Sequence, residues 1–178
     1  MARSEPEIVV TPSDEIVGAL VRELGCRTTV GVLVQLIAES RSEVLLASPF
    51  LSGQPGVVGT DAIYAALESA LRRGVRVSLF STGQGLDSAD ASGLQSMSDG
   101  RLHIYQPRAN IEDSKRLGSH AKVCISDATQ AYVGSANLTG PGLVGNFELG
   151  VRLRGEVAAR LRSLWMRLID SGLFVPIG

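Results

Sequence analysis

The segment that most constrains this chain is Glu43-Val-Leu-Leu-Ala-Ser-Pro-Phe50, whose unbroken apolar run fits a strand in the middle of a sheet rather than at its edge. The residues after it are organised to support such a sheet. Ser52 to Gly59 reads as a glycine-containing loop. Thr60-Asp61 can cap a helix with Ile63, Ala66, Leu67, Ala70 and Leu71 at helical spacing, and Arg72-Arg73-Gly74 stops it. Val75 to Phe80 is the next strand.

The same alternation runs through the chain. Residues 1–11 read as a short tail, and Thr11-Pro-Ser-Asp-Glu starts a helix carrying Ile16, Leu20, Val21 and Leu24. A second helix begins near Thr28 or Thr29, with Val30, Leu33, Val34 and Ile37 as its apolar stripe. Residues 81–100 and 107–118 read as polar loops around a short strand, Leu102 to Tyr105. Strands Ser119–Ser126 and Gln130–Gly134 form a hairpin turning at Asp127-Ala-Thr. A helical turn over Asn137–Gly142, a strand over Phe147–Leu153 and a helix over Glu156–Ser171 complete the order, with Val157, Leu161, Leu164, Trp165 and Leu168 on one side of that helix. Mixed strands and helices predict an α/β fold, an α-β-α sandwich with a central mixed sheet flanked by helices. Residues 1–41 are expected as an N-terminal helical extension to a core over 43–171, the whole forming one domain.

Composition narrows the function classes. The chain has 178 residues, 44% hydrophobic and 20% charged, as in a globular protein. No apolar run approaches the roughly 18 residues that span a bilayer, and the first residues lack the apolar stretch of a secretory signal, so a cytoplasmic protein is expected. Cys26 and Cys124 form neither a disulfide framework nor a zinc pattern, and Cys124 reads as a small buried thiol. The net charge of −1 argues against strong non-specific nucleic-acid binding while allowing a local basic groove. Aromatics at 4% argue against a base-stacking platform. Asp87, Asp90 and Asp99 fit no calcium loop, and no metal or cofactor is expected.

The chemistry concentrates in one segment. His120 and Lys122, two apart on a strand, point to one face, and the antiparallel return brings Ser135 and Asn137 near them. Gly134 allows close approach of a ligand to the backbone. Lys122, Ser135 and Asn137 can supply donors to phosphoryl oxygens as charge builds there, and His120 can serve as nucleophile or acid/base. Singly, these could be an exposed strand pair and turn residues; together, at fixed spacing, they define a phosphodiester site. Lys115 and Arg116, just upstream, could attract a phosphate backbone or simply lie in a solvated loop. Arg160, Arg162 and Arg167 read as a solvated helix face, and His103 as an ordinary strand residue.

The run HAKVCISDATQAYVGSANLT resembles the phospholipase D signature, H-x-K, four residues, D, six residues, G-S-x-N, through His120, Lys122, Asp127, Gly134, Ser135 and Asn137. The resemblance implies a covalent phosphohistidine, with a second histidine from another copy of the motif protonating the leaving oxygen. It implies that Asp127 is a structural hydrogen-bonding group rather than a base. It also implies that Glu148, in Asn146-Phe-Glu-Leu-Gly150, returns on a strand to orient His120. The chain holds one motif copy, so a homodimer with a composite site is expected. A metal-independent nuclease on DNA or RNA is the leading activity. A phospholipid-directed enzyme and a dimeric assembly module that does not need catalysis are the alternatives. Lys115-Arg-Leu-Gly-Ser-His-Ala-Lys122 and Tyr132-Val-Gly-Ser-Ala-Asn-Leu-Thr139 are similar to the phospholipase-D-like component of DISARM anti-phage systems, which implies defence-system protein partners; no segment resembles a membrane-binding amphipathic helix with a basic polar face, so no membrane is expected.

Overall fold

The computed structural model describes residues 5–54, 57, 58, 60–81, 91–108 and 120–177. In chain order the elements are β1 (Glu7–Thr11), α1 (Glu15–Glu23), β2 (Arg27–Thr28), α2 (Thr29–Glu39), β3 (Glu43–Ala47), β4 (Ser52–Gln54), β5 (Val57–Val58) and α3 (Asp61–Arg72). There follow β6 (Arg76–Phe80), α4 (Ser92–Met97), β7 (Leu102–Pro107), β8 (Lys122–Ser126), β9 (Gln130–Gly134), a π-helical turn (Pro141–Gly145), β10 (Glu148–Arg154), α5 (Glu156–Asp170) and β11 (Phe174–Ile177). Among the described residues, nine strands make one mixed sheet in the order β11-β7-β6-β3-β8-β9-β10-β1-β2, while β4 and β5 pair separately.

The apolar run over Glu43–Phe50 places β3 at the sheet's centre, parallel to β6 and antiparallel to β8. Alternate side chains serve opposite layers. Val44 and Leu46 pack with α2, α3 and α4 residues such as Leu33, Ile37, Leu67 and Leu94. Leu45 and Ala47 pack with Phe80, Ala158 and Trp165 under α5. Burying a leucine such as Leu46 stabilises the fold by about 1.5–3 kcal/mol, which is why this strand tolerates no solvent face. The result is an α-β-α sandwich. Among the described residues, no helix is long and apolar enough to cross a membrane.

Several elements differ from the sequence reading. Residues 7–11 are not tail: β1 pairs antiparallel with β10, and β2 adds beside it. With α2 supplying Val32, Leu33, Leu36 and Ile37 to the core, β1, β2 and α2 are part of the sandwich rather than an appendage. α1 starts where expected, with Asp14 accepting from the Val17 amide at 2.9 Å. β8 begins at Lys122, not Ser119, because β9 ends opposite it at Gly134 and β3 ends one position earlier, opposite Val123. The turn expected over Asn137–Gly142 is π-helical and lies over Pro141–Gly145. On α5, Ala158 and Trp165 face the sheet while Val157 and Leu164 are half-exposed. Arg162 is not a solvated side chain, since its guanidinium grips both carboxylate oxygens of Glu43 and ties α5 to the start of β3. Cys124 is fully buried, and burial pushes its thiol up to about 12.

Candidate active site

The site is built on the antiparallel trio β8, β9 and β10. Register aligns Lys122, Gly134 and Gly150 in one row across the three strands. His120 is exposed, two residues before Lys122 and just outside the strand. The Lys122 ammonium donates to the His120 carbonyl at 2.8 Å, holding the two residues together. Among the described residues, the His120 imidazole has no hydrogen-bond partner.

Beyond Gly134 the chain leaves the ladder in a controlled way. The Ser135 amide donates to the Leu149 carbonyl at 2.9 Å, and the Leu149 amide donates to Ser135 Oγ at 3.1 Å. Ser135 Oγ also donates, through a short hydrogen bond, to the Glu148 carboxylate. Glu148 therefore reaches the site, but its bond goes to Ser135 and not to His120. Ala136 and Leu138 are buried and anchor the turn, and the Leu138 amide donates to Ser48 Oγ at 3.2 Å. Ser48 in turn donates to the Phe50 carbonyl at 2.7 Å, linking the end of β3 to the same turn. Asn137 Oδ1 is buried without a partner. A methyl group on Gly142 would stand 2.5 Å from the Asn137 carbonyl oxygen, so the π-helical turn can sit against Asn137 only because residue 142 is glycine.

Asp127 lies at the far end of β8, roughly 16 Å from Lys122 along the strand. It has φ +50° and the next residue, Ala128, +55°, the left-handed pair that a tight hairpin needs. Its carboxylate accepts from the amides of Arg41 (2.8 Å), Ser42 (2.8 Å) and Glu43 (3.0 Å) and from the Ser42 hydroxyl (2.8 Å). Burial acts to raise its pKa, but these donors outweigh it and hold the carboxyl below the usual range.

The structure thus brings Lys122, Gly134, Ser135 and Glu148 together beside His120 and puts Asp127 elsewhere. Lys115 and Arg116 lie outside the described residues, as do Asp87 and Asp90. His103 is a half-buried β7 residue with its ring 6.5 Å from that of Tyr105. Ser48, Gly142, Gly150 and Tyr132 complete the surroundings, and none was expected from motif spacing. Gly150 had a signal, since a glycine inside a strand pattern marks close approach. Among the described residues, no three His, Cys, Asp or Glu side chains gather as metal ligands would.

An open depression of ≈ 330 Å³ adjoins the site, lined by Ile8, Val133, Gly134, Leu149, Gly150 and Val151. Ile8 is 57% exposed and Leu149 50%, an unusual state for neighbouring apolar side chains on a sheet.

Comparison with known proteins bears on the family and the fold. Residues 33–167 match the family described as "Cardiolipin synthase, PLD-like domain". The DISARM protein DrmC of Bacillus paralicheniformis is 24% identical over 180 residues, covering 98% of this chain and 68% of that protein. Two solved structures share the fold. Nuc of Salmonella typhimurium, a phospholipase D family member, has a TM-score of 0.64 at 18% identity, covering 97% of this chain and 99% of Nuc. NucT of Helicobacter pylori has a TM-score of 0.68 at 16% identity, with the same two coverages. With about three quarters of its length matched by the family's model, and with that family's fold, the chain belongs to the phospholipase D-like domain family.

Proposed function

We propose that the chain is a metal-independent nuclease, cleaving phosphodiesters of DNA or RNA through a phosphohistidine on His120. The observation that carries this reading is the cluster of Lys122, Gly134, Ser135 and Glu148 at one end of β8–β10, with an exposed His120 beside it. In this reading a ring nitrogen of His120 attacks phosphorus and the P–O bond to the leaving group breaks. A second histidine gives that oxygen its proton. Water then attacks the phosphohistidine, passing its proton to the second histidine, and His120 is freed. Lys122, Ser135 and Asn137 stabilise the phosphoryl oxygens. Glu148 accepts from His120 once the imidazole turns inward, and the Ser135 hydroxyl proton then turns from Glu148 to a phosphoryl oxygen. Lys115 and Arg116 steer the polyanion.

The second histidine comes from a second copy of the chain. The bare apolar depression supports this. α5 lies over β8, β9 and part of β10 but leaves Ile8 and Leu149 exposed beside it, while its own Val157 and Leu164 stand half-exposed. A twofold pairing can lay each helix flank on the other chain's bare strands, with the two sites meeting along the axis. The likeness to DrmC supports a role in anti-phage defence beside other defence proteins.

The test is cleavage of DNA and RNA by purified protein in EDTA, with His120→Ala as control. Activity that resists EDTA and vanishes in the variant is expected. Activity abolished by EDTA overturns the metal-free mechanism, and hydrolysis of phospholipid vesicles instead of nucleic acid overturns the substrate.

A further inference from the structure

The turn that carries Asn137 is held from two sides by buried hydroxyls that the phosphodiester signature does not include. On one side stands Ser48, 1% exposed, the residue after β3. Its amide donates to the Phe80 carbonyl at 3.1 Å, and Pro49, which has no N–H, ends the strand there. The Ser48 hydroxyl spends its proton on the Phe50 carbonyl, so its oxygen is left as an acceptor and takes the Leu138 amide at 3.2 Å. Leu138 is buried and lies beyond the end of β9, so its N–H needs a partner from outside the ladder.

On the other side stands Thr11, fully buried at the end of β1. It lies opposite Glu148 in the β1–β10 register, hence on the site's face of the sheet. Its Oγ1 donates to the Gly142 carbonyl at 3.2 Å. Gly142 in turn lies against the Asn137 backbone, where a methyl group would stand 2.9 Å from the Asn137 amide nitrogen as well as against its carbonyl. Two bonds that span 131 and 90 residues of chain thus converge on the backbone of one residue. Asn137 Oδ1 makes no hydrogen bond, which leaves that oxygen's direction to the backbone between the two holds.

We propose that Ser48 and Thr11 are positioning residues for Asn137. The Ser48 oxygen fixes the amide after it, Thr11 fixes the glycine packed on its backbone, and together they aim its carboxamide at the phosphoryl oxygens. The inference rests on the phosphodiesterase reading above, in which Asn137 binds those oxygens. Neither hydroxyl touches a reacting atom.

The experiment uses the full chain, with Ser48→Ala and Thr11→Val made alone and in an Asn137→Ala background. Steady-state kinetics are measured with bis(p-nitrophenyl) phosphate, on protein that thermal melting shows to be folded at the assay temperature. Each variant alone should lower kcat/KM roughly tenfold, about the worth of one hydrogen bond. Once Asn137 is alanine the same change should cost less than about twofold, because residues acting through one group are not additive. Wild-type kcat/KM in the single variants overturns the inference, as does an equal fold loss in both backgrounds, which marks a purely structural role. Thr11→Ser, which keeps the hydroxyl, should stay within about twofold of wild type; a loss equal to that of Thr11→Val overturns the role of the hydroxyl. Should Ser48→Ala fail to fold because the Leu138 N–H is orphaned, Thr11→Val, which keeps the shape, decides by the same comparison. Wild-type protein that leaves the diester uncleaved, or Asn137→Ala as fast as wild type, overturns the functional reading itself, and the inference with it.

Discussion

Replacing Asp127 with alanine removes four hydrogen bonds at once: three from the backbone amides of residues 41–43 and one from the Ser42 hydroxyl. Each is worth about 0.5–1.5 kcal/mol net, and the low end, about 0.5–0.75 kcal/mol, applies because water can replace the donors' partner at this partly exposed turn, giving roughly 2–3 kcal/mol for the four. Alanine at φ +50° adds about 1 kcal/mol that glycine would avoid. Asp127→Ala should therefore cost roughly 3–4 kcal/mol and Asp127→Gly about 1 kcal/mol less. In a chain of this size that is a fall in Tm of the order of 10 °C for alanine. The pH dependence follows from a carboxyl whose pKa is lowered on folding. Its contribution is fully present above the unfolded value near 3.9 and is lost as pH falls through the lower folded value, so wild type and variant should converge in acid. Urea melts at pH 7 and at pH 3 measure this. If Asp127→Ala melts like wild type yet cleaves no substrate, the group acts chemically and the structural account is wrong.

Four further outcomes are expected. His120→Ala and Lys122→Ala should each lower kcat at least about 10²-fold, and the double variant should lose little more, because both serve one transition state; single-turnover kinetics decide this. Gly134→Ala should destabilise by at least about 2 kcal/mol, since its methyl group would meet the Tyr132 hydroxyl and the Leu149 carbonyl oxygen, the latter at 2.9 Å; a chemical melt reads it. Leu149→Glu should shift the protein from dimer to monomer in gel filtration at micromolar concentration and remove activity while leaving the fold intact by circular dichroism. Arg152→Ala should cost about 2–3 kcal/mol, because it removes a buried stem and the hydrogen bonds to Glu7, Gln35 and Gln130, while Glu7 keeps Arg154; thermal melting checks it.

What could be read from sequence was local. The β8–β9 hairpin, its turn at Asp127 and the offsets of Gly134, Ser135 and Asn137 are set by neighbours within about 18 residues, so their spacing maps onto geometry. β1 was read as tail because Glu7-Ile-Val-Val-Thr11 becomes a strand only against β10, some 140 residues later. Arg162 looked solvated because its partner Glu43 is 119 residues away. The α5 stripe was right for Leu161, Trp165 and Leu168, which pack on the sheet, but not for Val157 and Leu164: which flank of a helix is covered depends on how much sheet lies beneath it. Within the site, Lys122 and Ser135 were legible from the motif. Tyr132, Ser48 and Gly142 were not, since each matters through packing or a bond to a turn rather than through a functional group facing outward.

The Asp127 contacts give β8 the character of a measuring rod. One end is pinned to residues 41–43, and five residues on the strand presents Lys122 opposite Gly134. Inserting one residue between these points would swing Lys122 to the α5 side of the sheet while the pinned end stayed put. Inserting two would restore the face but carry the ammonium about 7 Å past the glycine row. The length of this strand, and not only its residue types, is therefore a condition of the site, and lineages descending from this chain can vary Val123, Cys124 and Ile125 in kind but not in number.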